Sequence, residues 1–141
     1  SCFDSMTLMF QREVAERIIA RPGDPAYGRL SVLTQWLADA EILFDVPASA
    51  FVPPPKVTSS IVQIIPLAHA RYPCSHHALE FITRTAFGQR RKMLRSSLKK
   101  INGEELLAEA GIEPESRPQD IDIEEFCKLA NLYEMASKTV F

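Results

Sequence analysis

The sequence predicts an α/β region followed by an all-α region, and three observations lead there. Up to about residue 70, short β-favouring apolar runs alternate with segments of helical periodicity. Beyond a linker at 67–76 only helical periodicity remains, punctuated by Gly88, Gly111, Pro114 and Pro118. The composition, 46% hydrophobic and 24% charged over 141 residues, is that of a folded domain and excludes global disorder. Ten prolines against five glycines imply stiff connections and argue against a tight-looped helical bundle.

The elements follow in chain order. Thr7–Phe10 is a short apolar run that reads as a buried strand, leading into a helix over 12–20 with Val14, Ile18 and Ile19 at helical spacing. Arg21-Pro22-Gly23-Asp24-Pro25 stops that helix. A second helix over 29–39 is expected to bury Leu30, Leu33, Trp36 and Leu37. Strands are expected over 42–46 and 57–65, the latter with Val57, Ile61, Ile64 and Ile65 as its apolar positions. Between them lies a loop, Pro47–Lys56, with four prolines. A loop of that length in a compact domain is usually functional. Helices are then expected over 77–87, 90–100, 103–110 and 123–136. In the 90–100 helix Leu94, Leu98 and Ile101 would form an apolar stripe, with Arg91, Arg95 and Lys99 on a neighbouring face.

A net charge of −2 conceals an asymmetry. Residues 1–83 carry six basic and eight acidic side chains; residues 101–141 carry three basic and ten acidic. Between them, 84–100 carries seven basic side chains (Arg84, Arg90, Arg91, Lys92, Arg95, Lys99, Lys100) and no acidic one. Such a block calls for a polyanionic partner. No apolar run approaches the ~20 residues that span a bilayer, so no membrane partner is expected. The N-terminus carries no basic-then-apolar leader, which leads to a cytoplasmic expectation. Cys2, Cys74 and Cys127 form no CxxC pair and read as free thiols in a reducing compartment.

Signatures of catalysis are scarce. GxGxxG, GxxxxGK, HExxH and GxSxG are all absent. Cys74-Ser-His76-His77 falls short of the four coherently spaced ligands zinc usually needs, so no metal is expected. Glu104-Glu105 and Glu124-Glu125 stand at helix starts, where the dipole accounts for them. The segment from Asp45 to Val62 is different: it sets Phe51 on a proline-stiffened loop with Lys56 five residues on. An exposed aromatic beside a cation suits stacking on a nucleobase while the amine meets phosphate. Phe51 as a core anchor remains an equal alternative on spacing alone.

Four stretches together resemble one family: Phe10-Gln-Arg-Glu-Val-Ala-Glu-Arg, Tyr27-Gly-Arg-Leu-Ser-Val, Phe51–Ser60, and Phe87-Gly-Gln-Arg-Arg-Lys-Met-Leu-Arg-Ser-Ser-Leu. They look like small-subunit rRNA adenine N6,N6-dimethyltransferases, in order and interval, over essentially the whole chain, and most like the bacterial type. The erythromycin-resistance rRNA methylases and mitochondrial transcription factor B proteins are similar too. The resemblance implies the C-terminal part of a class I (Rossmann-like) methyltransferase sheet within 1–66, a linker at 67–76, and a helical rRNA-binding domain over 77–141. It implies S-adenosylmethionine as cofactor, although the Gly-rich loop, the acidic ribose-binding residue and the Asn-Leu-Pro-Tyr-type motif that would hold cofactor and amine do not occur in this chain.

By the same resemblance, the substrate is small-subunit rRNA in an immature ribosomal subunit, methylated on adjacent adenosines near its 3′ end. The N6 lone pair of adenine is delocalised into the ring, so the family flips the base out and stacks it between aromatics. Phe51 matches one of those aromatics. Arg90, Arg91, Lys92 and Arg95 match the rRNA-gripping segment, with Arg29 and Lys56 as further RNA contacts. The complete enzyme would be active and this chain alone inactive. The alternatives are a non-enzymatic RNA-binding or ribosome-biogenesis module and, with less support, a DNA-binding paralogue.

Overall fold

A computed structural model describes residues 4–138. Strand β1 (Met6–Gln11) runs directly into helix α1 (Arg12–Ile19). After the turn at 21–28 come α2 (Arg29–Leu37), β2 (Ala38–Val46) and β3 (Ser59–Pro66). The helical part comprises α3 (His76–Phe87), the single turn α4 (Leu94–Ser97), α5 (Gly103–Ala110) and α6 (Ile123–Lys138). Short 3₁₀ turns stand at Ala48–Ala50, Lys99–Ile101 and Pro118–Asp120.

The three strands form one sheet in the order β1-β3-β2, with β3 antiparallel to both neighbours. Strands β1 and β2 are therefore parallel and joined by the α1–α2 crossover. β2 begins at Ala38 rather than Ile42, and α2 correspondingly ends at Leu37 rather than Asp39. Asp39, Ala40 and Glu41 are poor strand formers, but they pair with Ile65, Ile64 and Gln63 of β3. That ladder satisfies their backbone groups and overrides local propensity. The register slips at Leu43, a bulge between Ile42 and Phe44.

The buried side chains correct the expected faces. In α2 the buried residues are Ser31, Val32 and Trp36, while Leu30 and Leu37 are exposed. The helix is turned by the Ser31 hydroxyl, which accepts from Gly28 N–H at 3.1 Å and donates to the Arg17 carbonyl. In β3 the fully buried residues are Ser60 and Val62, Ile65 is exposed, and Val57 lies outside the strand, exposed. The other sheet face is open: Met9, Ile61 and Phe44 lie in one cross-strand row, with Met9 52% and Phe44 58% exposed.

The helix expected over 90–100 does not form as one element. Met93 is extended (φ −64°, ψ 149°), and only Leu94–Ser97 is α-helical before the 3₁₀ turn at Lys99–Ile101. The physical cause is capture of backbone donors: Leu94 N–H bonds the Ser116 carbonyl at 2.7 Å and Arg95 N–H the Pro114 carbonyl at 3.2 Å. Arg91 consequently stands outside the helix, and no continuous Arg91–Arg95–Lys99 stripe exists.

One buried cluster unites Tyr27, Val32 and Trp36 with Leu79, Ile82, Leu94, Leu98, Leu107, Phe126 and Leu129. The 67–76 segment is fastened to the end of α2 by Arg71 N–H to Trp36 O (2.7 Å) and Trp36 Nε1–H to Tyr72 O (2.7 Å). Ser75 caps α3, its hydroxyl accepting from Ala78 N–H at 3.0 Å.

Gly103 closes the basic segment against α5. Asn102 before it is left-handed (φ 58°), and a Cβ on Gly103 would lie 2.6 Å from Leu98 Cβ and 2.9 Å from the Leu98 carbonyl. Gly103→Ala is therefore expected to cost about 1–3 kcal/mol through overpacking. Urea unfolding followed by circular dichroism checks this; an unchanged midpoint would show that the turn opens freely.

Candidate nucleic-acid interface

The Pro47–Lys56 loop stands on a clamped base. Ser60 Oγ donates to Asp45 Oδ1 at 2.7 Å, the Arg12 guanidinium pairs with the same carboxylate, and Arg12 N–H bonds Thr58 O at 2.9 Å. These contacts tie both stems of the loop to the start of α1. Above them the 3₁₀ turn is closed by Ala50 N–H to Pro47 O (3.0 Å) and Phe51 N–H to Ala48 O (3.2 Å). Phe51 is half-buried and stands outside the buried core cluster. Val52, at the cis Val52–Pro53 bond, is 98% exposed, and Lys56 is exposed without an ion pair among the described residues.

The cations divide into two kinds. Arg29 pairs with Glu80, which also lies 3.8 Å from Arg84. Arg90 turns inward: its Nη2 donates to Tyr27 O at 2.7 Å and to Pro25 O at 3.3 Å, and its guanidinium lies 5.2 Å from the Phe87 ring centre. A Cβ at position 28 would sit 3.2 Å from Arg90 Nη1, which is why Gly28 suits that position despite its extended backbone. Arg91 and Lys92 are exposed with no ion pair among the described residues. Arg95 has only a 4.0 Å approach to Glu115.

Lys92, Arg95 and Lys99 line one cleft with Ser96, Asn102 and the start of α5, where Glu104 and Glu105 also stand. Arg90 is brought to the Pro25 and Tyr27 carbonyls instead, and Arg29 to the Glu80 carboxylate. Phe51 and Lys56 belong to the sheet end, and no hydrogen bond or ion pair joins their loop to the 84–100 segment among the described residues. The cleft takes in Lys99, which is not among the RNA contacts expected from sequence; the Asn102-Gly103 dipeptide, a turn signal, marks that the chain bends back there.

Other groups have different engagements. The His76 ring lies 6.1 Å from Trp36, and no group of three or more potential metal ligands occurs among the described residues. Burial, reinforced by Asp122 and Glu125, pushes the Tyr27 phenol far above its ordinary pKa, so it remains a hydrogen-bond donor to Ile121 O at 2.9 Å. The residues present do not fit S-adenosylmethionine. β1 passes into α1 at Gln11-Arg12 with no glycine loop, and the two glycines of positive φ, Gly23 and Gly111, follow helices rather than strands.

Comparison with known proteins places this geometry. The fold matches that of a dimethyladenosine transferase from Plasmodium falciparum, with a TM-score of 0.79 at 24% identity, over 96% of this chain and 58% of that one. It also matches the 23S rRNA methyltransferase ErmE, with a TM-score of 0.58 at 24% identity, over 93% of this chain and 55% of that one. In sequence, the chain is 57% identical over 129 residues to "Ribosomal RNA small subunit methyltransferase A" of Sinorhizobium medicae, covering 92% of this chain and 47% of the relative. The chain thus spans a little under half the length of the curated relatives it matches. The family model described as "Ribosomal RNA adenine dimethylase" matches residues 1–135, and with nearly the whole chain so accounted for, it belongs to the ribosomal RNA adenine dimethylase family.

Proposed function

We propose that this chain is the C-terminal portion of an rRNA adenine N6,N6-dimethyltransferase. The complete protein would transfer methyl groups from S-adenosylmethionine to adjacent adenosines near the 3′ end of small-subunit rRNA, on an immature subunit in the cytoplasm. The observation that carries this is the 57% identity to a small-subunit rRNA methyltransferase over 92% of the chain.

The β1-β3-β2 sheet fits the C-terminal edge of a class I methyltransferase sheet, with the last strand inserted antiparallel between two parallel ones. Its open apolar row and the outer edge of β1, unpaired among the described residues, are surfaces that further strands and helices would cover. We assign 1–66 to that domain, 67–76 to the connection and 77–141 to rRNA contact. The shared buried cluster makes these regions of different work in one folded unit.

The work of this chain's own residues is binding and positioning. Phe51, held on a loop whose stems are fixed beforehand, offers a ring to the flipped adenine at reduced entropic cost. Arg91, Lys92 and Arg95 offer charge to phosphates, with Lys56 as a further contact beside the base. Arg29 and Arg90 support the RNA-facing surface through Glu80 and the Tyr27 backbone.

The intact protein should transfer methyl groups to adenosines of small-subunit particles; RNA binding without transfer would favour a non-enzymatic module. The 141-residue chain alone should bind S-adenosylmethionine negligibly, and micromolar binding by calorimetry would overturn that.

Neutralising Arg91, Lys92 and Arg95 together should flatten the salt dependence of RNA binding, by about 0.7–0.9 in log–log slope for each phosphate that no longer meets a cation. Arg90→Ala should instead lower stability by about 1–3 kcal/mol, since it strands the Tyr27 carbonyl. Filter binding at several salt concentrations and thermal melting separate the two effects. A triple variant with unchanged slope would remove the segment from the RNA interface.

Phe51→Ala in the intact protein should weaken target binding by about 1–3 kcal/mol, with Phe51→Tyr and Phe51→Trp partly tolerated because both keep a π-face. Single-turnover methylation and melting measured on the same variant decide this. A lower melting temperature with methylation unchanged would make Phe51 a core anchor.

A further inference from the structure

Cys74 and Cys127 are remote in sequence but meet in the fold. Cys74 precedes Ser75, the cap of α3, and is half-buried; Cys127 lies in the buried face of α6. One helical turn beyond Cys127, Asn131 Nδ2 donates to Pro73 O at 2.8 Å, holding that face of α6 against Pro73–Cys74. The two thiols lie close enough there for each to shift the ionisation of the other through side-chain hydrogen bonding. Cys127 belongs to the buried cluster that packs α3 on α6, and Cys74 packs against it.

We infer that Cys74 and Cys127 form a redox-active dithiol that closes to an intramolecular disulfide in the presence of a low-molecular-weight disulfide, fastening the entry of α3 to α6. This chemistry is independent of the rRNA reading. Cys74 is the attacking thiol. The hydrogen bond donated by Cys127 lowers its pKa, against the opposing effects of burial and the Glu134 carboxylate. Cys127, as the donor and the more deeply buried, has its pKa raised. A thiolate that is also reachable from solvent is the reactive partner of such a pair.

The Cys74 thiolate attacks one sulfur of the small disulfide, whose S–S bond breaks and releases one thiolate. Cys127 then attacks the Cys74 sulfur, expelling the second thiolate. The protons of the two cysteines end on the two released thiolates. Two protein thiols are oxidised and one small disulfide is reduced to two thiols.

The test is incubation of the purified protein with oxidised glutathione, alkylation of remaining thiols, and peptide mapping beside thermal melting. The expected result is a Cys74–Cys127 cross-linked peptide, loss of both thiols from alkylation, and a higher melting temperature reversed by reductant. Cys127→Ala should trap Cys74 as a glutathione adduct, and Cys74→Ser should leave Cys127 unreacted in the folded protein. The unmutated protein decides the matter if a variant fails to fold. A stable glutathione adduct on Cys74 of that protein, a link to Cys2 instead, or two thiols that remain alkylatable would each overturn the inference.

Discussion

Tyr27 is the joint on which the two halves of this chain depend. Its side chain is fully buried, its hydroxyl donates to Ile121 O at 2.9 Å, and its ring meets Phe87 edge-on at 5.9 Å. Its carbonyl receives the Arg90 guanidinium at 2.7 Å. One residue of the α/β region therefore engages the approach to α6, the end of α3 and the start of the basic segment. Burying a phenol is favourable only while its hydroxyl is satisfied, so these contacts stand or fall together. The 3₁₀ turn at Pro118–Asp120, which leads to Ile121, is drawn in as well, since Gln119 O accepts from Gly23 N–H at 2.8 Å.

From that joint follows the division among the cations. A guanidinium can satisfy carbonyls and cover an aromatic face at once, so Arg90 serves the fold where an exposed lysine could not. Arg91 and Lys92, adjacent in sequence, are exposed and make no such bond among the described residues. The extended residue Met93 and the capture of Leu94 and Arg95 N–H by the 114–116 segment turn the chain, so that Lys92, Arg95 and Lys99 share a cleft. Cations close in sequence thus have different surroundings because the backbone between them is irregular.

The sheet shows the converse, a local feature steadied by distant partners. The proline-rich loop is stiff in itself, yet its direction is set by Asp45, Ser60 and Arg12 at its base. The bulge at Leu43 shifts β2 against β3 just before that base, aligning Phe44 with Ile61. Phe51 stands on this support without joining the core, an arrangement compatible with presenting the ring to a ligand.

Apolar periodicity, proline placement and charge are local properties, so the order and kind of almost every element, the stiff loop bearing Phe51 and the basic block were legible in the chain alone. The family was legible too, in four stretches whose residues and spacing recur together. Three features arose only on folding. The ladder to β3 carried β2 back to Ala38 over residues of poor strand propensity. The carbonyls of Pro114 and Ser116 broke the expected basic helix by claiming its first backbone donors. Packing of α6 on the Pro73–Cys74 segment brought together two cysteines that sequence spacing had left unrelated. Each depends on a hydrogen-bond partner remote in the chain, and no local pattern records which donor a remote carbonyl will meet.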